Sequence, residues 1–272
     1  MNPICALTFG VKKSAFWGVG ARTRTDTPKS GNLSRKFSKK QHIVVLISAG
    51  SEWRAVKGIL ESHNLEIRPT PFGESFALHP STFNLPPSTN LIFLHGGWGK
   101  ISAAATTQYA IDHFGADLLI NLGTCGGLEG RIETGDILLV ERTLVYDIIE
   151  QMSDPQAALD RYTVKLDTSW LEDVPLPSDV RPGLLVSADR DILREDVPML
   201  IERFDAVAAD WESGAIAWVA DRNAIACLIL RGVTDIVSTE SGEAYGNIEL
   251  FRERTKTIMA RLLEILPLFL KK

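Results

Sequence analysis

Cysteine is scarce in this chain of 272 residues: Cys5, Cys125 and Cys227 stand far apart. Such a set offers no disulfide framework and no Cys-x-x-Cys motif for a metal or a redox pair. The five histidines (His42, His63, His79, His95 and His113) show neither His-x-His nor His-Glu-x-x-His spacing, so no metal and no cofactor is expected. No apolar run is long enough to span a bilayer, which removes the membrane as an expected partner. Charge of one sign is also lacking. With 29 Lys+Arg against 34 Asp+Glu, the net charge of −5 gives no reason to expect nucleic acid as a partner. The stretch Gly96-Gly97-Trp98-Gly99-Lys100 lacks the phosphate-loop spacing and the Ser/Thr after the lysine, so nucleoside triphosphates are not expected either.

What is present suits one large domain: 45% hydrophobic residues in a chain long enough to enclose a substantial core. The first forty residues differ from the rest. They hold nine Lys/Arg and a single acid, Asp26, with many Ser, Thr and Gly and no apolar period. Residues 1–40 are therefore expected to be a basic, disordered extension outside the fold of 41–272. Their composition admits a transit peptide, a tail or an upstream start that is not used. They carry no long apolar segment of the secretory kind, and a cytoplasmic protein is the expectation.

From Ile43 onward, apolar runs alternate with helical patterns. Ile43–Ile47, Asn90–Leu94, Leu118–Leu122, Ile137–Val140, Gly183–Ser187, Phe204–Ala209 and Cys227–Leu230 read as buried strands. Glu52–Ser62, Lys100–Phe114 and about Ile248–Phe269 read as helices. The polar, proline-containing stretch Met152–Val180 reads as an excursion from the core. Alternation of this kind predicts an α/β fold, a three-layer α/β/α sandwich with a mixed, largely parallel central sheet. Four strand ends carry small residues: Ala49-Gly50, Gly96 to Gly99, Gly123-Thr124-Cys125-Gly126-Gly127 and Ser187-Ala188. Glycine lets a backbone approach a ligand closely, and together these ends suggest one cleft at one sheet edge.

Two carboxylates stand where that cleft is expected. Glu212 falls between the strand at Phe204–Ala209 and a helix opened by Ser213-Gly214-Ala215. Unpaired N–H groups at such a junction favour negative charge, so Glu212 is either a helix cap or a ligand carboxylate. Leu228-Ile229-Leu230-Arg231-Gly232-Val233-Thr234-Asp235 reads as an apolar strand ending in Arg231 and Asp235. Glu52, just after the first strand, is either a solvated helix-start acid or a third member of the set.

The order Asp210-Trp211-Glu212-Ser213-Gly214-Ala215-Ile216-Ala217, then Arg231-Gly232-Val233-Thr234-Asp235, resembles the nucleoside phosphorylase/nucleosidase superfamily. Within it, the chain is similar to the 5′-methylthioadenosine/S-adenosylhomocysteine nucleosidases from about His42 to Phe269. The resemblance implies a mixed, partly barrel-like sheet flanked by helices, a homodimer and an N-ribosyl hydrolase acting on a purine nucleoside. It implies that Glu52 activates water, Glu212 binds the ribose hydroxyls, Asp235 protonates the leaving purine and Arg231 lies near the water. That division suits the chemistry. Cleaving an N-glycosidic bond passes through an oxocarbenium-like state that needs charge stabilisation, an acid for the leaving group and a base for water.

The substrate-binding set implied alongside these is Gly96, Thr124, Cys125, Gly126, Asp191, Ile192, Asp210, Trp211 and Tyr245. Several of these depart from the family pattern. Gly96 stands where the family carries a serine, and Asp210-Trp211-Glu212 replaces Glu-Met-Glu. In Ser187-Ala188-Asp189-Arg190-Asp191-Ile192, Asp191 replaces the aromatic that stacks on the base. Tyr245 replaces a phenylalanine near the 5′ group. Asn121 stands where phosphorylases carry a phosphate-holding arginine, and Ser48-Ala49-Gly50-Ser51-Glu52 replaces their Gly-Asp-Pro-x-Arg loop. Water is therefore the expected nucleophile. The expected substrate is 5′-methylthioadenosine or S-adenosylhomocysteine; another modified purine nucleoside, a phosphorylase and a non-catalytic nucleoside-binding protein are the alternatives.

Overall fold

The structure, a computed structural model, describes residues 41–240 and 247–270. The expectations for residues 1–40 and for Tyr245 lie outside the described residues. In chain order the elements are β1 (Gln41–Ile47), α1 (Gly50–Ile59), β2 (Arg68–Thr70), β3 (Gly73–Leu78), β4 (Thr89–His95), α2 (Gly99–Phe114), β5 (Leu118–Leu128) and β6 (Ile137–Val145). They continue as α3 (Pro155–Arg161), β7 (Thr163–Lys165), β8 (Val180–Ser187), α4 (Val197–Phe204), β9 (Ala206–Asp210), α5 (Ser213–Arg222), β10 (Ala226–Val237) and α6 (Ile248–Leu270). No described helix is long and apolar enough to cross a membrane.

The sheet is mixed, in two parallel blocks. β4, β1, β5 and β10 run parallel to one another. β6, β8 and β9 form the second parallel block. The blocks meet antiparallel at β5–β9 and at β10–β6, which closes β5, β9, β8, β6 and β10 into a ring of five strands. Alternation along β1 explains the layers. Ile43, Val45 and Ile47 pack with Trp53 and Val56 of α1 and Met259 and Leu262 of α6. Val44 and Leu46 face the other way, onto Ala103 and Ala110 of α2 and Ile216 of α5. A strand buried on both faces reads as a continuous apolar run, as β1 does. α2 stops at Gly115, whose left-handed φ of +63° closes the helix by bonding back to Ile111 O.

Three expectations are corrected. The glycine stretch 123–127 is not a strand end: β5 runs through it to Leu128 with no left-handed residue. Its glycines answer a crowding problem instead. A Cβ on Gly123 would lie 2.1 Å from Arg231 Nη1, and one on Gly127 would lie 2.7 Å from side chains of Ile132 and Ile236. Likewise β10 does not end at Arg231 and Asp235 but continues to Val237, with a register shift between Val233 and Asp235. The stretch 152–180 is partly core, because Leu159, Val164, Leu166 and Leu171 are buried. The hairpin β2–β3 had no clear signal in the sequence; β2 is only three residues long, and Pro69 occupies its middle.

Candidate active site

A cleft of about 300 Å³ opens where the two parallel blocks meet. Its walls come from the turn after β1 (Ala49, Glu52), the glycine turn before α2 (Trp98) and the β5 residues Thr124, Cys125 and Gly126. The segment after β8 adds Arg190, Asp191 and Ile192, and β9 with its exit adds Ala209 to Glu212. Thr234, Asp235 and Val237 of β10 and Phe251 of α6 complete it. The three carboxylates Glu52, Glu212 and Asp235 thus share one cleft, although 183 positions separate the first from the last. Asp191, Ile192, Asp210 and Trp211 line the same cleft.

Glu52 is not a solvated helix-start acid. It lies in the first turn of α1, only 2% exposed. Its Oε1 accepts from Thr124 N (2.6 Å) and Thr124 Oγ1 (2.8 Å), and its Oε2 accepts from Ala49 N (3.1 Å). Three donors hold the carboxylate in place between β5 and the start of α1.

Glu212 occupies the cap position of α5 but makes no side-chain cap bond. Asp210 does that work, accepting from Ser213 N at 3.1 and 3.2 Å. Glu212 is left free of the helix and accepts from Gly99 N across the cleft at 3.1 Å. Burial, opposed by Arg231 and reinforced by Asp210 and Glu52, pushes its pKa up to about 8. The folded protein therefore keeps a proton on Glu212 that the unfolded chain releases near pH 4.5. Stability is expected to fall as pH rises from about 4.5 to about 8, because the native state is then the one holding more protons. Glu212→Gln cannot titrate, and its melting temperature should decline less than that of the native protein across this window. Parallel melting curves for the two proteins from pH 5 to 8 would rule out the buried proton.

Beneath the cleft lies an ionic core. Arg231 is 1% exposed and takes no part in the cleft wall. Its Nη2 donates to Asn121 Oδ1 (2.7 Å) and pairs with Asp210 Oδ2 (2.8 Å), and its Nε donates to Ser213 Oγ (2.9 Å). Glu212 and Glu52 stand at 3.7 and 3.9 Å from the same guanidinium. Asp210, although it reaches the cleft, spends its oxygens on Ser187 Oγ, Ser213 and Arg231. Asn121 is wholly buried; its Nδ2 donates to Leu46 O (3.1 Å) and its Oδ1 is taken by Arg231 and Ser213. Gly96 also lies outside the wall, bonded through its N–H to Ile47 O and through its carbonyl to Thr106 Oγ1.

Asp235 is 7% exposed, accepts from Thr234 Oγ1 (2.8 Å) and lies in register with Gly126 of β5. Burial pushes the neighbouring Cys125 thiol far up, so it stays protonated and inert. Trp211 is not a core tryptophan. It stacks on the exposed Trp98 at the cleft, with centroids 4.5 Å apart and planes 26° apart. Trp98, Arg190 and Phe251 are wall residues that carried no signal of their own. Trp98 sits inside a glycine turn, Arg190 beside the residue that drew notice, and Phe251 on a helix remote in sequence. Among the described residues no group of three His, Cys, Asp or Glu side chains is disposed to hold a metal ion.

Known proteins are similar to this chain in sequence and in fold. The family profile described as the phosphorylase superfamily matches residues 44–267. The 5′-methylthioadenosine/S-adenosylhomocysteine nucleosidase of Listeria monocytogenes is 27% identical over 192 residues, which are 65% of this chain and 82% of that protein. Among solved structures, the 5′-methylthioadenosine/S-adenosylhomocysteine nucleosidase of S. pneumoniae bound to a transition-state inhibitor aligns with a TM-score of 0.66 at 20% identity, covering 85% of this chain and 99% of that one. The futalosine hydrolase of Helicobacter pylori strain 26695 aligns with a TM-score of 0.67 at 18% identity, covering 84% and 97%. Both have the same fold as this chain.

Proposed function

The chain belongs to the phosphorylase superfamily, and from that premise we propose that it is an N-ribosyl hydrolase that cleaves purine nucleosides, with 5′-methylthioadenosine or S-adenosylhomocysteine as substrate. The observation that carries the proposal is the meeting of Glu52, Glu212 and Asp235 in one cleft. Each stands in a different setting, and N-glycosidic cleavage asks for three different services. Glu52, fixed by three donors, takes a proton from water. Glu212, facing the Gly99 amide, exchanges hydrogen bonds with the ribose hydroxyls. Once its proton has passed to solvent, its charge also stabilises the oxocarbenium-like sugar. Asp235 delivers a proton to the departing purine, which is otherwise a poor anion. Arg231 touches none of the reacting atoms. It is a positioning residue that holds the carboxylates from below.

Water rather than phosphate is the nucleophile in this reading. The side chain at position 121 is a buried asparagine fully engaged with Arg231, Ser213 and Leu46, so it offers no cation to a phosphate. Base release from 5′-methylthioadenosine should proceed at the same rate with and without added phosphate and yield the free sugar. Strict dependence on phosphate, with a sugar 1-phosphate as product, would make the protein a phosphorylase. A second reading, hydrolysis of a purine nucleoside with a different 5′ group, is favoured by the Trp98–Trp211 stack. It gives the cleft a broad aromatic surface where the family carries a methionine. The same assay run with nucleosides differing at the 5′ position separates the two.

A further inference from the structure

The cleft has two chemically different ends along β5. Thr124 and Gly126 are two residues apart and share the strand face that opens to the cleft. At Thr124 lies the charged end, with Glu52 bonded to its amide and hydroxyl. At Gly126 the surroundings are apolar. Ile192 Cδ1 lies 3.0 Å, and Val237 Cγ2 3.7 Å, from where a Cβ on Gly126 would sit. Asp235 is in register at this end. A flat heteroaromatic base belongs against the apolar end, with its sugar towards Glu52 and Glu212. Such a base gains most from a rigid plane parallel to its own, and Ile192 and Val237 offer none.

Arg190 supplies one. It is a wall residue two positions before Ile192. Its guanidinium carbon lies 5.3 Å from the centroid of the Tyr146 ring, and Tyr146 itself takes no part in the wall. One side of the guanidinium is therefore covered by the tyrosine, while the residue also lines the cleft. Its Nη2 donates to Asp196 Oδ2 at 2.5 Å, which restrains the group and offsets its charge. A guanidinium stacks on an aromatic face as a flat, weakly hydrated group, which an ammonium cannot do. Asp191, in contrast, is exposed at the rim and presents no plane. We infer that Arg190, seated on Tyr146, is the surface on which the substrate's base stacks, and hence a specificity-determining residue of this cleft. The inference rests on reading the cleft as a purine nucleoside site.

The test is the binding of free adenine, measured by calorimetry, to the native protein and to Arg190→Lys, Arg190→Phe and Tyr146→Leu. Arg190→Lys keeps the charge and its partner Asp196 but loses the plane. Its affinity should fall about 5- to 100-fold, the scale of one base stack. Arg190→Phe keeps a plane without the charge and should bind within about threefold of the native protein. Tyr146→Leu, which removes the backing, should weaken binding in the direction of Arg190→Lys. Native-like affinity in Arg190→Lys, or a loss of equal size in the Lys and Phe variants, would overturn the inference. Unchanged melting temperatures would show that the variants remain folded, and Arg190→Lys alone decides the matter if the Phe variant is unstable. If the native protein releases base from a nucleoside while Arg190→Lys binds adenine normally, Arg190 is excluded and the hydrolase reading stands. If the native protein neither binds a purine nor releases one, both fall.

Discussion

Asp235→Asn is expected to release base roughly 10²- to 10⁴-fold more slowly than the native protein, the usual worth of a general acid. The amide retains the size of the carboxyl and an oxygen to accept from Thr234 Oγ1, so the wall at Gly126 keeps its shape. What it loses is a proton that can leave. Affinity for free adenine should therefore change far less than turnover. The comparison that decides is kcat against adenine binding in the same preparation. If the asparagine variant turns over at a rate near native, the leaving purine takes its proton elsewhere, and the role given to Asp235 is wrong.

Arg231→Met should cost the fold about 3–5 kcal/mol, the scale for removing one partner of a buried ion pair. Asp210 would lose its ion pair, and Glu212 and Glu52 the guanidinium that stands beside them. For a chain of this size that loss lowers the melting temperature by roughly 6–20 °C. The deficit has a definite pH dependence. Carboxylates without a counter-ion take up protons as pH falls and shed their mutual repulsion, so the variant should recover ground relative to the native protein in acid. Arg231→Lys should not restore it, because an ammonium cannot serve Asn121, Asp210 and Ser213 from a single plane. A melting temperature within a few degrees of native in Arg231→Met would mean that the guanidinium is not what holds these side chains in the core.

The sequence was most legible where burial is two-sided. β1, β4 and the start of β5 are apolar without interruption because helices cover both faces of the sheet. Glu52, Glu212 and Asp235 could be read because each follows or interrupts such a run. The ring was harder to see. A glycine inside a strand and a glycine in a turn look alike in a sequence. Gly123, Gly126 and Gly127 reveal their purpose only when Arg231, Ile192 and Ile236 are brought beside them from far along the chain. The same holds for Arg231, whose place at a presumed strand end suggested contact with substrate. Only the pairing of β10 with β5 shows that it is enclosed. Trp98 and Phe251 belong to the cleft through tertiary approach alone, and no local pattern marks them.

Closing five strands into a ring also decides where the sheet ends. An open sheet presents a row of unpaired amides along each margin, which invites pairing with another chain. Here, among the described strands, the margins fall to β2 and β7, each only three residues long. β2 is Arg68-Pro69-Thr70, and its proline has no amide to offer a newcomer. β7 ends in Lys165, an exposed charge that would have to be desolvated by any strand laid against it. The long apolar strands that make the core cohesive are thus kept from the perimeter. The geometry that shapes the cleft also protects the folded chain against edge-to-edge aggregation.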